Sequence, residues 1–263
     1  MKRSCRQWLN LGALIITIAL NGLANAIPFN GIATGEIADQ FEIFFAPAGF
    51  TFAIWAVIYL ALGAFAMYQF QPSQKDNPRL QGIEFYFAWS CLANSAWLIF
   101  WHFGIFHLTV VAMLALLALL SLIYLRIREP KQQPSGRETW FVLIPFSLYL
   151  AWISIASIAN ITDFLVFLGW NGGLLAEEVW AVIMIIAACG ICALISLQHV
   201  DLVYVLVIVW ALIGIASKQQ KASPLVSNAA WIGAGIVILV WSAVYLQQRG
   251  SQGKKVNPTP AAE

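Results

Sequence analysis

Eight apolar stretches, each long enough to cross a lipid bilayer, divide this chain near residues 8–27, 51–70, 84–103, 107–125, 140–160, 178–197, 201–217 and 229–247. A helix needs about 20 apolar residues to cross roughly 30 Å of hydrocarbon. The fold class is therefore all-α, a polytopic integral membrane helical bundle. Composition agrees, because only 10% of the 263 residues are charged, where a soluble domain carries about 25%.

Charge placement gives an orientation. Lys2, Arg3, Arg6, Lys75, Arg79, Arg126, Arg128, Lys131, Arg137, Arg249, Lys254 and Lys255 fall in alternate connections, against Lys218 and Lys221 in the others. The positive-inside rule then places both termini on the cytoplasmic side, in a plasma (inner) membrane. The opposite loops carry Glu36, Asp39, Glu42, Asp163, Glu177 and Glu178. The net charge of +2 comes from these flanks and a polar tail, which leaves no nucleic-acid footprint. The basic loops serve as topology determinants facing anionic lipid.

The first 26 residues share features with a secretory signal: a basic start, an apolar run and Ala24-Asn25-Ala26. The run is long and contains Asn21 and Asn25, so it is read as a retained first span. Cys189-Gly190-Ile191-Cys192 has redox-motif spacing but sits in an apolar helix without a nearby cation or a His cluster. It reads as small-residue helix packing.

The connection from Pro28 to Gly49 is the longest outer loop and has the length of a lid or binding element. A second outer loop, 161–177, separates five spans from three. The expected division is a five-helix domain at 1–165, a three-helix extension at 166–248 and a polar tail at 249–263. Trp55-Ala56-Val57-Ile58 is echoed by Trp180-Ala181-Val182-Ile183, too short a match to support an inverted-repeat transporter.

No Asp, Glu, Lys or Arg lies near the middle of any span, which argues against proton pumps and ion-coupled transporters. His102 and His107 flank a short turn with no third ligand nearby and read as capping groups; no metal site is expected. Tryptophan, tyrosine and asparagine do lie inside, at helical spacing. Ser90, Asn94, Trp97 and Trp101 share one face of the third span, Tyr149, Trp152, Ala156 and Asn160 one face of the fifth, and Trp55, Tyr59 and Gly63 one face of the second. An amide in hydrocarbon is costly unless paired, so these stripes point into the bundle. Flat indole and phenol rings suit a planar aromatic ligand, although periodicity alone is equally met by plain helix packing. Trp8, Trp140, Trp170, Trp180, Trp231 and Trp241 lie near span ends and fit an interfacial belt.

These residues resemble a known family, the tryptophan-rich sensory proteins, also called translocator proteins or peripheral benzodiazepine receptors. Trp55-x3-Tyr59-x3-Gly63, Asn94-x2-Trp97 and Tyr149-x2-Trp152-x3-Ala156-x3-Asn160 follow the family's patterns in order, and the resemblance covers about residues 8–165. It implies a five-helix translocator-protein-like core, here with three additional helices. The implied pocket would bind tetrapyrroles such as protoporphyrin IX, sterol-like lipids or synthetic aromatic drugs beneath the first outer loop. Trp55, Asn94, Trp152 and Ala156 would line it, and Tyr59, Trp97, Tyr149 and Asn160 would support it. The chain also departs from the family pattern. Ala46-Pro47-Ala48-Gly49 replaces Pro-Pro-x-Trp, leaving Phe50 as the nearest aromatic, Ser90 replaces a usual Gln, and Leu148 a Pro. The Tyr and Arg of the cholesterol motif are missing after Asn160, so cholesterol transport is not carried over.

The leading expectation is a non-enzymatic binding protein for a planar hydrophobic molecule or lipid, with aromatic faces giving affinity and Asn94 giving orientation. No acid–base pair, nucleophile or metal cluster supports ordinary enzymology, and no cofactor is required. The alternatives are light- or oxygen-dependent porphyrin degradation through oxidisable indoles, and transport of small hydrophobic molecules. In the transport case Glu177, Glu178 and Asp201 are the only charged candidates, although their terminal positions fit interface anchoring. Gly63 with Ala66, and Gly233 with Gly235, offer close helix contacts within the chain or in a homodimer.

Overall fold

The computed structural model describes residues 3–41 and 43–256. Lys2 and Glu42, among the charges counted above, and the end of the tail lie outside the described residues. Eight long helices follow the eight apolar stretches: α1 (Arg3–Ala26), α2 (Ile54–Tyr68), α3 (Tyr86–His102), α4 (Phe106–Arg126), α5 (Ile144–Phe167), α6 (Glu177–His199), α7 (Leu202–Gln219) and α8 (Pro224–Val256). No strand occurs among the described residues.

Seven of these segments are long and apolar enough to cross a membrane, so the chain is an integral multi-pass membrane protein. The exception is α3, with 17 residues and a polar inner face of Ser90, Asn94, Ser95 and His102. Three boundaries differ from expectation. The polar tail begins as helix, since α8 runs on to Val256. The fifth span does not stop at residue 160, because α5 continues to Phe167 and carries Asp163 into the helix. Ahead of α5 the chain makes a wide π turn at Thr139–Leu143. Pro145, two residues on, has no N–H to give to an ordinary α-helical ladder.

The first five helices close a ring. α1 packs on α2 and α3, α3 on α4, α4 on α5, and α5 back on α2. Polar stripes knit this ring together. On α1, Asn10 donates to the Gln69 side chain at 3.2 Å, Thr17 to the Cys91 carbonyl at 3.1 Å, and Asn21 to Asn94 Oδ1 at 2.9 Å. α7 lies along α5, and α6 and α8 pack on α7 and on each other. One contiguous hydrophobic core runs through all eight helices, from Leu14 to Val237. The outward faces keep Ile15, Ile16, Leu60, Leu114 and Leu239 exposed, as expected of helices whose outer solvent is lipid.

Ion pairs fix one end of the bundle. Arg79, buried, pairs with Glu138 at 3.5 Å and donates to the Ile127 carbonyl at 2.5 Å, joining the α2–α3 and α4–α5 connections. At the same end Arg128 meets Asp201 at 2.5 Å, and Asp201 also accepts from Ser147 at 2.6 Å and Tyr124 at 2.9 Å. Burial lowers the Arg128 pKa from its ordinary value, and Asp201 opposes that fall. Asp201 is thus no interface anchor. It is buried, caps α7 through the Tyr204 N–H, and ties α7 to α4 and α5.

Small-residue packing is confirmed between α6 and α8, where a Cβ on Gly233 would lie 3.0 Å from Cys189 Sγ. Cys189 and Cys192 are free thiols. Gly63 and Gly235 make no close approach within the chain.

Candidate aromatic cavity

Inside the ring lies a mainly apolar cavity of about 90 Å³. α5 supplies the longest wall, with Trp152, Ala156, Asn160 and Asp163 at intervals of four, four and three, so all point the same way. α2 adds Trp55, α3 adds Asn94, Trp97 and Trp101, and α4 adds Met113 and Leu116. The long connection closes the top with Thr34, Ala38, Ile43, Ala46 and Pro47.

The rings are packed edge to face. Trp55 stands 6.4 Å from Trp152 at 83° and 6.0 Å from Tyr149 at 69°, and it stacks on Tyr59 at 5.3 Å. Phe52, rather than Phe50, supplies the aromatic beside Trp152, at 5.8 Å and 83°, while Phe50 packs on Trp210.

Hydrogen bonding separates structural from available groups. Asn94 has both polar atoms engaged: Oδ1 accepts from Asn21 at 2.9 Å and Nδ2 donates to the Tyr149 hydroxyl at 3.0 Å. It lines the cavity but serves the ring, a correction to its expected orienting role. By contrast Trp97 Nε1, Trp152 Nε1, Asn160 Oδ1 and Tyr59 Oη are buried without a partner. Buried polar atoms are almost always satisfied, so a cluster of exceptions around one void marks groups that await a ligand or water.

The structure brings seven of the eight expected site residues to open space. Trp55, Asn94, Trp97, Trp152, Ala156 and Asn160 line the cavity, so Trp97 and Asn160 are wall residues rather than supports. Tyr59 lines an adjoining cleft of about 530 Å³ that shares Trp55, Trp97, Phe52 and Pro47 with it. Tyr149 alone stands behind the wall, 2% exposed. The adjoining cleft opens between α1 and α2, past Ile18, Asn21, Gly22, Asn25 and Ala56, with Lys218 on its rim.

The lid is anchored rather than loose. Its short helix, Thr34–Ala38, is held where Trp101 Nε1 donates to the Thr34 carbonyl at 3.1 Å and the Thr34 hydroxyl bonds His102 Nε2 at 2.9 Å. Ile37 packs with Trp101 and Phe106. The lid's second half rests on α7: Ala48 N–H donates to the Gly214 carbonyl at 3.1 Å, and Trp210 Nε1 to the Thr51 carbonyl at 3.0 Å. Lys218 reaches Asp39 at 3.2 Å.

Three wall features were missed in the sequence. Asp163 could have been found by carrying the α5 stripe one step past Asn160. Phe52 had a weaker signal, lying one helical turn before Trp55. Thr34 and Ala38 had none.

A ring of five helices around an aromatic cavity, capped by a pinned loop and flanked by three more helices, defines a polytopic helical membrane protein. The family model described as TSPO-like protein matches residues 7–243, so the chain belongs to that family. The match takes in the last three helices, which the motif resemblance had left beyond residue 165. No curated protein and no solved structure matches the chain.

Proposed function

We propose that this chain is a non-enzymatic binding protein that holds a planar hydrophobic ligand, such as a tetrapyrrole, between its first five helices. The observation that carries this reading is the cavity bounded by Trp55, Trp97 and Trp152, in which two indole N–H groups have no protein acceptor. The cavity itself is small, and it is the adjoining cleft of about 530 Å³ that brings the space into the ordinary range of ligand pockets, roughly 300–1,000 Å³. Affinity would come mainly from apolar burial, at roughly 25 cal/mol per Å² before association costs. The indole donors would fix the guest's orientation.

In this reading the last three helices form a brace, with α7 holding the Pro47–Thr51 segment over the cavity through Gly214 and Trp210. The test is tryptophan quenching by protoporphyrin IX in lipid nanodiscs. Trp152→Ala should weaken binding by about 1–3 kcal/mol, as for a central aromatic anchor. Equal affinities for wild type and variant would overturn the assigned pocket.

A further inference from the structure

The lid-side end of the cavity presents two acceptors with no donor. Asn160 gives its amide nitrogen to Thr109 at 3.1 Å, and its Oδ1 is unpartnered. Asp163 lines the same cavity, is only 6% exposed, and receives no hydrogen bond among the described residues. The rim cation Lys218 acts on it only at longer range. Lys218 turns to Asp39 at 3.2 Å, and no Lys, Arg or His nitrogen of the described residues comes within 4.0 Å of Asp163.

A buried carboxyl without a partner is expensive in an apolar setting, and within a membrane protein it marks a functional contact. Its placement sets a length. Trp152, Asn160 and Asp163 share one face of α5, and a rise of about 1.5 Å per residue puts Asn160 about 12 Å and Asp163 about 16 Å from Trp152. The cavity thus has aromatic walls along its length, with Trp101 at the lid, and its two free acceptors lie toward the lid end.

We propose that Asp163, with the Asn160 carbonyl beside it, selects flat hydrophobic ligands that carry a cationic amine or N–H donor at one end. This rests on the cavity being the ligand site. A donor arm satisfies both acceptors at once, and an ammonium gains a charge-assisted bond in a low-dielectric setting. A carboxylate arm in the same place sets a second acid beside Asp163 with no cation paired to either one, so it is disfavoured. The carboxylates of a porphyrin must then face the α1–α2 cleft, where Asn21, Asn25 and Lys218 stand.

Three pyrenes test this, bearing an aminomethyl, a methyl or a carboxylate group, with binding read as energy transfer from tryptophan. Nanodiscs of phosphatidylcholine keep the lipid uncharged, and comparing ratios between variants in the same discs cancels partition into lipid. Wild type should bind aminomethylpyrene at least about tenfold tighter than methylpyrene, with the carboxylate weakest. Asp163→Asn should bring the amine-to-methyl ratio to within about twofold. Asp163→Glu should keep the amine preference. An unchanged ratio in Asp163→Asn, or a preference for the carboxylate, overturns the proposal. If all three bind alike and Trp152→Ala weakens all of them, the cavity stands and the proposal alone fails. If none binds to wild type, both fail.

Discussion

Gly214 lies flat against Thr51. The Gly214 carbonyl accepts the Ala48 N–H at 3.1 Å, and a Cβ on Gly214 would collide with Thr51 Cγ2 and come within 3.1 Å of Pro47 Cβ. The obstruction is not a flexible tip, because Thr51 is fully buried and its hydroxyl is tied to the Ala48 carbonyl. Gly214→Ala should therefore push the Pro47–Thr51 segment off α7 and cost about 1–3 kcal/mol, the usual price of overpacking. Thermal unfolding in detergent measures the loss. A variant as stable as wild type would show that the brace yields freely.

Asn94 should act as a stability residue. Asn94→Ala strands the buried Tyr149 hydroxyl, while Asn21 keeps its bond to the Thr17 carbonyl, and a buried group left unpaired costs about 1–3 kcal/mol. Unfolding should record that loss. A drop in ligand affinity with full stability would return Asn94 to the role of ligand contact.

Trp97→Phe separates the ring from its N–H. In the empty protein Trp97 Nε1 is buried without an acceptor, so removing it should leave stability unchanged or slightly raised. Affinity for a ligand that presents an acceptor should fall by about 0.5–1.5 kcal/mol, the net worth of a hydrogen bond. Fluorescence titration and thermal unfolding on the same preparation give both numbers. Loss of stability with no loss of affinity would contradict the assignment.

Arg128 and Asp201 should be strongly coupled. Asp201→Asn leaves a half-buried guanidinium facing a neutral amide and should cost about 3–5 kcal/mol, whereas the double variant Arg128→Met with Asp201→Asn should cost distinctly less than the two singles added. A double-mutant cycle by denaturant unfolding reads the coupling. Additive effects would mean that the Ser147 and Tyr124 bonds hold Asp201 without the ion pair.

The aromatic wall was legible because a helix repeats it. Tyr149, Trp152, Ala156 and Asn160 fall on one face by spacing alone, and three of the four reach the cavity. Asp163 belongs to the same stripe but was placed in a loop, since a charge ordinarily ends an apolar span; only the described course of α5 to Phe167 carries it inward. Asp201 and Asn94 were misjudged for a different reason. Their partners Arg128 and Asn21 are each 73 residues away in sequence, so no local pattern could show that their polar groups were already engaged. Eight long helices, the lid and the packing of Cys189 were readable from composition and length, whereas the support of the lid by α7 depends on tertiary contact alone.

In the proposed reading, a guest would arrive through the seam between α1 and α2. α5 is the most enclosed span, with α7 along its outer side, but the cleft between α1 and α2 begins at Ile18 and Ala56, both exposed on the bundle's flank. A molecule dissolved among the acyl chains can therefore slip in sideways without first partitioning into water. Filling that doorway with Gly22→Phe should slow loading from vesicles while leaving the final affinity close to wild type, so the membrane itself would serve as the protein's supply route.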